Sequence, residues 1–221
     1  MIVGWEYNNR QMTLILTLLV VFVLLVCNEW WWRSQRSHTE INRKFIHITV
    51  GTFVAFWPLF LSWQQIRWLS LAFLIVVALS KYLHIFKAIH SVQRPTWGEI
   101  FFAVAVGAVT FITHDKWIFA AAVLQMALAD GLAAIIGVQY GRKQSYLIFG
   151  QAKSVIGTAT FIFVSVYILF AFMYISDTPL PYATIFGLAA AAGVIENFGV
   201  FGLDNLLVPV LIAFVLQQIS H

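Results

Sequence analysis

The chain has 221 residues, 61% of them hydrophobic and 10% charged, with a mean hydropathy of +0.86. A soluble domain could not keep that much apolar side chain from water without aggregating, so an integral membrane protein is expected. The net charge of +4 then reports topology and no nucleic-acid partner. The lone Cys27 excludes an intramolecular disulfide, and no C-x-x-C or His/Cys cluster is present to hold structural zinc.

The first apolar run, residues 12–26, follows a stretch holding Glu6 and Arg10. Asn28-Glu29-Trp30-Trp31-Trp32 stands where a small-residue cleavage site would fall, so the run is expected to be a retained span. Further apolar segments follow at 45–61, 68–83, 100–113, 117–139, 155–175, 182–195 and 206–219. A full crossing takes roughly 20 residues, which makes the fourth, seventh and eighth segments short. The expected fold is all-α: a polytopic transmembrane helical bundle of seven or eight spans. It forms a single membrane domain over 1–221, with 1–39 an extra first span and basic loop and 40–221 the core.

With eight spans and an outer N-terminus, ten of the 13 Lys and Arg residues fall on the cytoplasmic side. Only Arg10, Arg67 and Lys116 fall on the other, which agrees with the positive-inside rule. Trp30, Trp31, Trp32, Trp63, Trp68, Trp97 and Trp117 lie near span ends, as an aromatic belt requires. The polar clusters described next all lie at cytoplasmic ends, so one face is expected to carry the chemistry.

In Glu40-x-x-Arg43-Lys44-x-x-His47-x-x-x-Gly51, entering the second span, Arg43, His47 and Gly51 are four apart and share a helical face. Arg43 and Lys44 read either as positive-inside anchors or as phosphate-binding groups. Arg94-Pro95-Thr96-Trp97-Gly98-Glu99 precedes the fourth span. There Thr96-x-x-Glu99 has the form of a capping box, and Arg94 adds a basic group.

The sharpest feature is residues 129–158, ADGLAAIIGVQYGRKQSYLIFGQAKSVIGT. Asp130 lies thirteen residues beyond Trp117, some 20 Å along a helix at about 1.5 Å per residue. A carboxylate inside hydrocarbon costs about 2.5–3.5 kcal/mol on insertion scales, so it needs a metal ion or a basic partner. Gly131, Ala134, Gly137 and Gly141 recur at three- or four-residue steps, a pattern suited to helix packing and to close ligand approach. After a short basic loop, Lys153-Ser154-x-x-Gly157-Thr158 opens the sixth span, with Ser154 as N-cap and free N–H groups suited to phosphate. It is not a Walker A loop, because Ala152 precedes the lysine. Near the C-terminus, Glu196-Asn197 and Asp204-Asn205 flank a Gly-containing link, and no Lys or Arg follows Val155. These carboxylates must be solvated, bound to metal or paired with the basic residues above, and Asp204 has the alternative of capping the last helix.

In this order the blocks 40–47 (EINRKFIH), 94–99 (RPTWGE), 129–141 (ADGLAAIIGVQYG), 153–158 (KSVIGT), Glu196 and 203–209 (LDNLLVP) resemble the CTP-dependent lipid kinases of phytol, farnesol, dolichol and diacylglycerol. The Asp-Gly, Gly-x-x-x-Gly and Lys-Ser pieces are also similar to phosphatidate cytidylyltransferases. The basic, Ser-Pro-containing stretch usual before the lysine in that family is replaced here by Ile148-Phe149-Gly150-Gln151-Ala152. The resemblance implies γ-phosphoryl transfer from CTP to a membrane lipid alcohol, with Mg²⁺ as cofactor. It implies Asp130 as a metal ligand, with Glu196, Asp204 and Asn205 as further ones. Lys153, Arg43, Lys44 and Arg94 would neutralise phosphate charge, beside Gly131, Gly137, Gly141, Ser154, Gly157 and Thr158. Glu99 or His47 would accept the alcohol proton. CMP transfer to phosphatidate is the alternative reaction; transport is disfavoured because no internal repeat is evident and the charges crowd one face.

Overall fold

A computed structural model of the protein describes residues 2–34, 40–83 and 97–220, so Arg94 lies outside the described residues. The eight apolar segments form helices over most of their length, except that in the second the α-helix ends at Ala55 and a short 3-10 turn, Trp57–Leu59, follows. In chain order they are α1 (Ile2–Ser34), α2 (Glu40–Ala55), α3 (Trp63–Leu83), α4 (Gly98–Ile112), α5 and α6 (Lys116–Leu124 and Asp130–Tyr140), α7 (Val155–Ile175), α8 (Tyr182–Phe198) and α9 (Asp204–Ile219). The all-α class holds. Among the described residues, three helices are long and apolar enough to cross a membrane, over Gln11–Asn28, Lys116–Tyr140 and Val155–Ile175. Trp63–Leu79, Gly98–Ile112, Tyr182–Phe198 and Asp204–Ile219 are apolar but shorter.

The centre of the bundle is the continuous rod of α5 and α6. Within the bundle 72% of this span is buried, against 33% of α7 and 11% of the α1 span. Helices α2, α7 and α9 pack directly on the rod, α4 and α8 pack on α9, and α3 on α4. Phe119, Phe161, Ile66, Ile185, Ile212 and Leu216 fill the core between them. Large apolar side chains such as Phe111, Phe163, Phe186 and Phe214 cover the outside, a surface suited to lipid and not to water.

Two local features depart from the sequence reading. The rod is interrupted by a single π-helical stretch, Gln125–Ala129, in which the Asp130 N–H bonds to the Gln125 carbonyl. This places Asp130 where the ladder widens, an irregularity often found at functional positions. The basic loop after α6 is also not irregular throughout. It forms an antiparallel hairpin of β1 (Ser145–Ile148) and β2 (Gln151–Ser154). The turn uses Phe149 and Gly150, both at positive φ (47° and 77°), the backbone that a two-residue hairpin turn demands.

Candidate functional site

Helix α2 reaches α6 closely because each contact carries one glycine. A Cβ on Gly131 would collide with Ile48, and one on Gly51 would lie 2.5 Å from the Cβ of Ala127. Gly131 therefore allows close helix approach, and that approach sets the polar geometry. Lys44 Nζ donates to Asp130 Oδ2 at 2.5 Å, with both side chains buried. His47 Nε2 lies 2.9 Å from the Met126 carbonyl, inside the π-helical stretch, and 3.6 Å from Asp130 Oδ2. An imidazole nitrogen facing a carbonyl must carry its proton, so His47 is fixed as a donor on that side.

Glycines also bring α6 onto the start of α7. Added Cβ atoms at Gly137 and Gly157 would stand 2.8 and 2.9 Å from Ser154 Oγ, and one at Gly141 would collide with Ser154. Ser154 is the N-cap of α7, and its hydroxyl accepts from the Gly157 N–H at 3.0 Å. The hydroxyl expected to meet phosphate is thus engaged in capping. Thr158 is also engaged: its hydroxyl donates to Asn197 Oδ1 at 3.1 Å and lies 2.6 Å from Tyr146 Oη, which itself bonds Asn197 Oδ1. Tyr146 was missed in the sequence, where only its place in a short alternating run could have signalled it. The Tyr146–Thr158–Asn197 network ties β1 to α7 and α8. It holds Lys153, the residue paired with Tyr146 across the hairpin, over the end of α8.

Lys153 Nζ donates to the Glu196 carbonyl at 2.8 Å and to Glu196 Oε1 at 2.5 Å. Burial alone would lower the Lys153 pKa, but the carboxylates of Glu196 and Asp204 raise it above the ordinary lysine value. Lys153 is therefore a cation at any neutral pH.

The link between α8 and α9 turns through Phe201 and Gly202 at positive φ (57° and 88°). Gly199 packs so tightly on Asp204 that a Cβ would lie 2.5 Å from the aspartate's own. The Phe201 carbonyl accepts from Trp97 N–H at 3.0 Å, which pins the start of α4 to this link. Asp204 does not cap α9: Leu203 holds the N-cap position, and no side chain caps the helix. Asp204 Oδ1 is instead buried without a hydrogen-bond partner. Asp130, Glu196 and Asp204 each place one carboxylate oxygen within 4.8 Å of the other two. Three buried carboxylates from three helices converge, with Lys44 and Lys153 beside them.

Two expected residues stand off to one side. Glu99 Oε1 lies 3.5 Å from Arg43 Nη1, and Asn205 Nδ2 donates to the Gly98 carbonyl at 3.2 Å. Trp97 is the N-cap residue of α4, without a side-chain cap bond, and Thr96 of the expected capping box lies outside the described residues. Arg43, His47, Glu99 and Asn205 line a common cavity with apolar residues of four helices.

No protein-family model matches the chain, and no solved structure matches it. Over 185 residues, covering 80% of this chain and 78% of the relative, it is 33% identical to a curated protein of Synechocystis sp. named phytol kinase.

Proposed function

The chain belongs to the lipid kinase family of that relative, and on this premise we propose that it transfers the γ-phosphoryl group of CTP to the hydroxyl of a membrane lipid alcohol. Phytol is the first candidate acceptor, from the relative's name; other polyprenols, dolichol and diacylglycerol belong to the same class of acceptor. The observation that carries the reading is the convergence of Asp130, Glu196 and Asp204 beside Lys44 and Lys153. Phosphoryl transfer needs charge neutralisation and in-line positioning more than covalent help, and this cluster offers both signs of charge in one buried place.

The donor set suits Mg²⁺, which takes oxygen ligands and retains several waters. The orphaned Asp204 Oδ1 is the atom most in need of such a partner. Asp130, Glu196 and Asp204 would hold the ion, whose role when bound is to neutralise the β- and γ-phosphate oxygens. Lys44 and Lys153 hold positive charge against the same carboxylates and supply the counter-charge a triphosphate requires. Arg43 adds a third cation one residue before Lys44, on the same helix. The hairpin carries Lys153 over the site from α7, while the Tyr146–Thr158–Asn197 network fixes its direction.

Three long apolar helices and the lipid kinase relative make this a membrane protein. We place the shorter helices across the bilayer as well, giving a multi-pass bundle of seven or eight spans. The Lys and Arg distribution supports a cytoplasmic face for the site. There CTP arrives from water, and the alcohol arrives sideways from the membrane.

The test is the fate of the γ-phosphorus. Purified protein in lipid nanodiscs with γ-labelled CTP, Mg²⁺ and phytol should pass the label to the lipid and release CDP. Lys153→Ala should reduce the rate about 100-fold or more by removing charge stabilisation at the phosphates. Label appearing in pyrophosphate, with cytidine carried into phosphatidate, would instead mean nucleotidyl transfer and overturn the kinase reading.

A further inference from the structure

Beside the carboxylate cluster lies a cavity holding about 570 Å³ of open space, counting its mouth. Its walls are Leu25 of α1, Val50 and Gly51 of α2, Phe73 and Val77 of α3, and Phe102 of α4. Clefts between the helices of a bundle are where such folds place ligands. One end only is polar, built from Arg43, His47, Glu99 and Asn205. There Asn205 is 5% exposed, and its Oδ1 has no hydrogen-bond partner; Glu99 Oε1 likewise has none. Phe102 joins the two ends, its ring edge-on to His47 at 5.3 Å and to Phe73 at 6.2 Å between centroids. From Arg43 to Gly51 the cavity follows α2 for about 12 Å of helical rise.

We propose that this cavity takes the head-proximal hydrocarbon of the acceptor alcohol and sets its hydroxyl against Glu99 and Asn205. The inference rests on the kinase reading above and adds the acceptor subsite to it. A nucleotide is a poor occupant, since the walls offer a base and ribose almost no hydrogen bonds. A chain with one polar terminus matches a pocket with one polar end. Leu25 comes from the helix with the most lipid-exposed span, so the cavity borders the region from which a membrane alcohol arrives. His47 bridges the two subsites, bonded to the Met126 carbonyl and 3.6 Å from Asp130 Oδ2.

This geometry divides the roles of the two candidate bases. His47 Nε2 is occupied by the carbonyl, and His47 positions Asp130. Glu99 takes the proton: the hydroxyl oxygen bonds to the γ-phosphorus, its proton passes to Glu99, and the bond to the β,γ-bridging oxygen breaks so that CDP leaves. Arg43 Nη1 lies 3.5 Å from Glu99 Oε1 and holds the carboxylate at the polar end of the cavity.

The experiment changes the cavity's size from opposite walls. Val50→Phe narrows it and Phe73→Ala widens it. The readout is the ratio of kcat/KM for a ten-carbon over a five-carbon prenyl alcohol. Val50→Phe should lower that ratio at least about tenfold, since several buried methylenes lose their place, and Phe73→Ala should raise it. A photoreactive diazirine prenyl alcohol in nanodiscs should crosslink to α2, α3 and α4, less so in Val50→Phe. This second readout needs no turnover. An enzyme that phosphorylates alcohols while neither variant moves the ratio overturns the acceptor subsite alone. Crosslinks confined to other helices overturn it too. Crosslinking as described without any phosphorylation leaves the subsite standing and overturns the kinase reading.

Discussion

Arg67 and Lys44 are both basic side chains drawn into the bundle, from opposite ends, and their surroundings differ in kind. Arg67 Nε donates to Thr110 Oγ1 at 3.0 Å, and Nη2 to the Thr110 carbonyl at 2.9 Å. Nη2 also lies 3.0 Å from His114 Nε2, and the guanidinium stands 4.3 Å from the Phe111 ring centre. Nearby, Asp115 caps α5 through the N–H groups of Trp117 and Ile118. Arg67 and Asp115 at that end are matched with neutral or capping partners, as in a structural lock. At the Lys44 end three carboxylates crowd together, and Asp204 Oδ1, Glu99 Oε1 and Asn205 Oδ1 are buried without hydrogen-bond partners. An unsatisfied buried group costs about 1–3 kcal/mol, and a bound ion or ligand would offset that cost here. The first end holds the helices together; the second is where we propose that the ion and the phosphates bind.

The strongest way to break that contrast is Asp130→Asn. Activity per folded molecule should fall about 1,000-fold, because a neutral amide cannot serve the charge balance of phosphoryl transfer. Lys44 would lose its partner, so some stability is lost too. A circular-dichroism melt alongside turnover separates the two effects. Turnover within about tenfold of the parent, beside that scale of electrostatic effect, would show that Asp130 is only a structural partner of Lys44.

Arg67→Ala should do the reverse. It removes three hydrogen bonds and a ring contact, so the protein should lose about 2–4 kcal/mol of stability. Turnover per folded molecule should stay unchanged. Loss of turnover in the protein that remains folded would erase the distinction between the ends. Tyr146→Phe sharpens the contrast within the active end. It removes one hydroxyl from the network that steadies the hairpin, so a melt should drop by about 1 kcal/mol. Turnover with CTP should fall modestly through a higher KM, as Lys153 loses its fixed direction; unchanged CTP kinetics would assign the network to stability alone.

The helices were legible because hydropathy reads the burial of whole segments, and α7 begins and ends where its apolar run does. Asp130, Lys153, Glu196 and Asp204 were legible because a charge in an apolar chain stands out against its neighbours. The π-helical stretch was not, because Gln125–Ala129 is composed like any helix and its widened turn depends on α2 and α7 packing against it. Ser154 is legible as the N-cap of α7 that it proves to be, whereas Thr158, expected beside phosphate, bonds Tyr146 and Asn197. The Thr158–Tyr146 contact depends on the hairpin, and β1 shows only four residues of alternation. The Arg43–Glu99 pair and the cavity beside it join residues from separate helices. No local pattern encodes such a meeting.

The carboxylate end, as proposed, is a divalent-cation site completed by Asp204. Mn²⁺ titration of the purified protein in nanodiscs, followed by electron paramagnetic resonance in the presence of CTP, tests it directly. The account predicts one saturable site in the parent and in Arg67→Ala. In Asp204→Asn the affinity should be at least about tenfold weaker, since a carboxylate ligand is lost, with little change in the melt because Asp204 Oδ1 gives up no hydrogen bond. Equal Mn²⁺ affinity in Asp204→Asn and parent, or no saturable site in either, would contradict it.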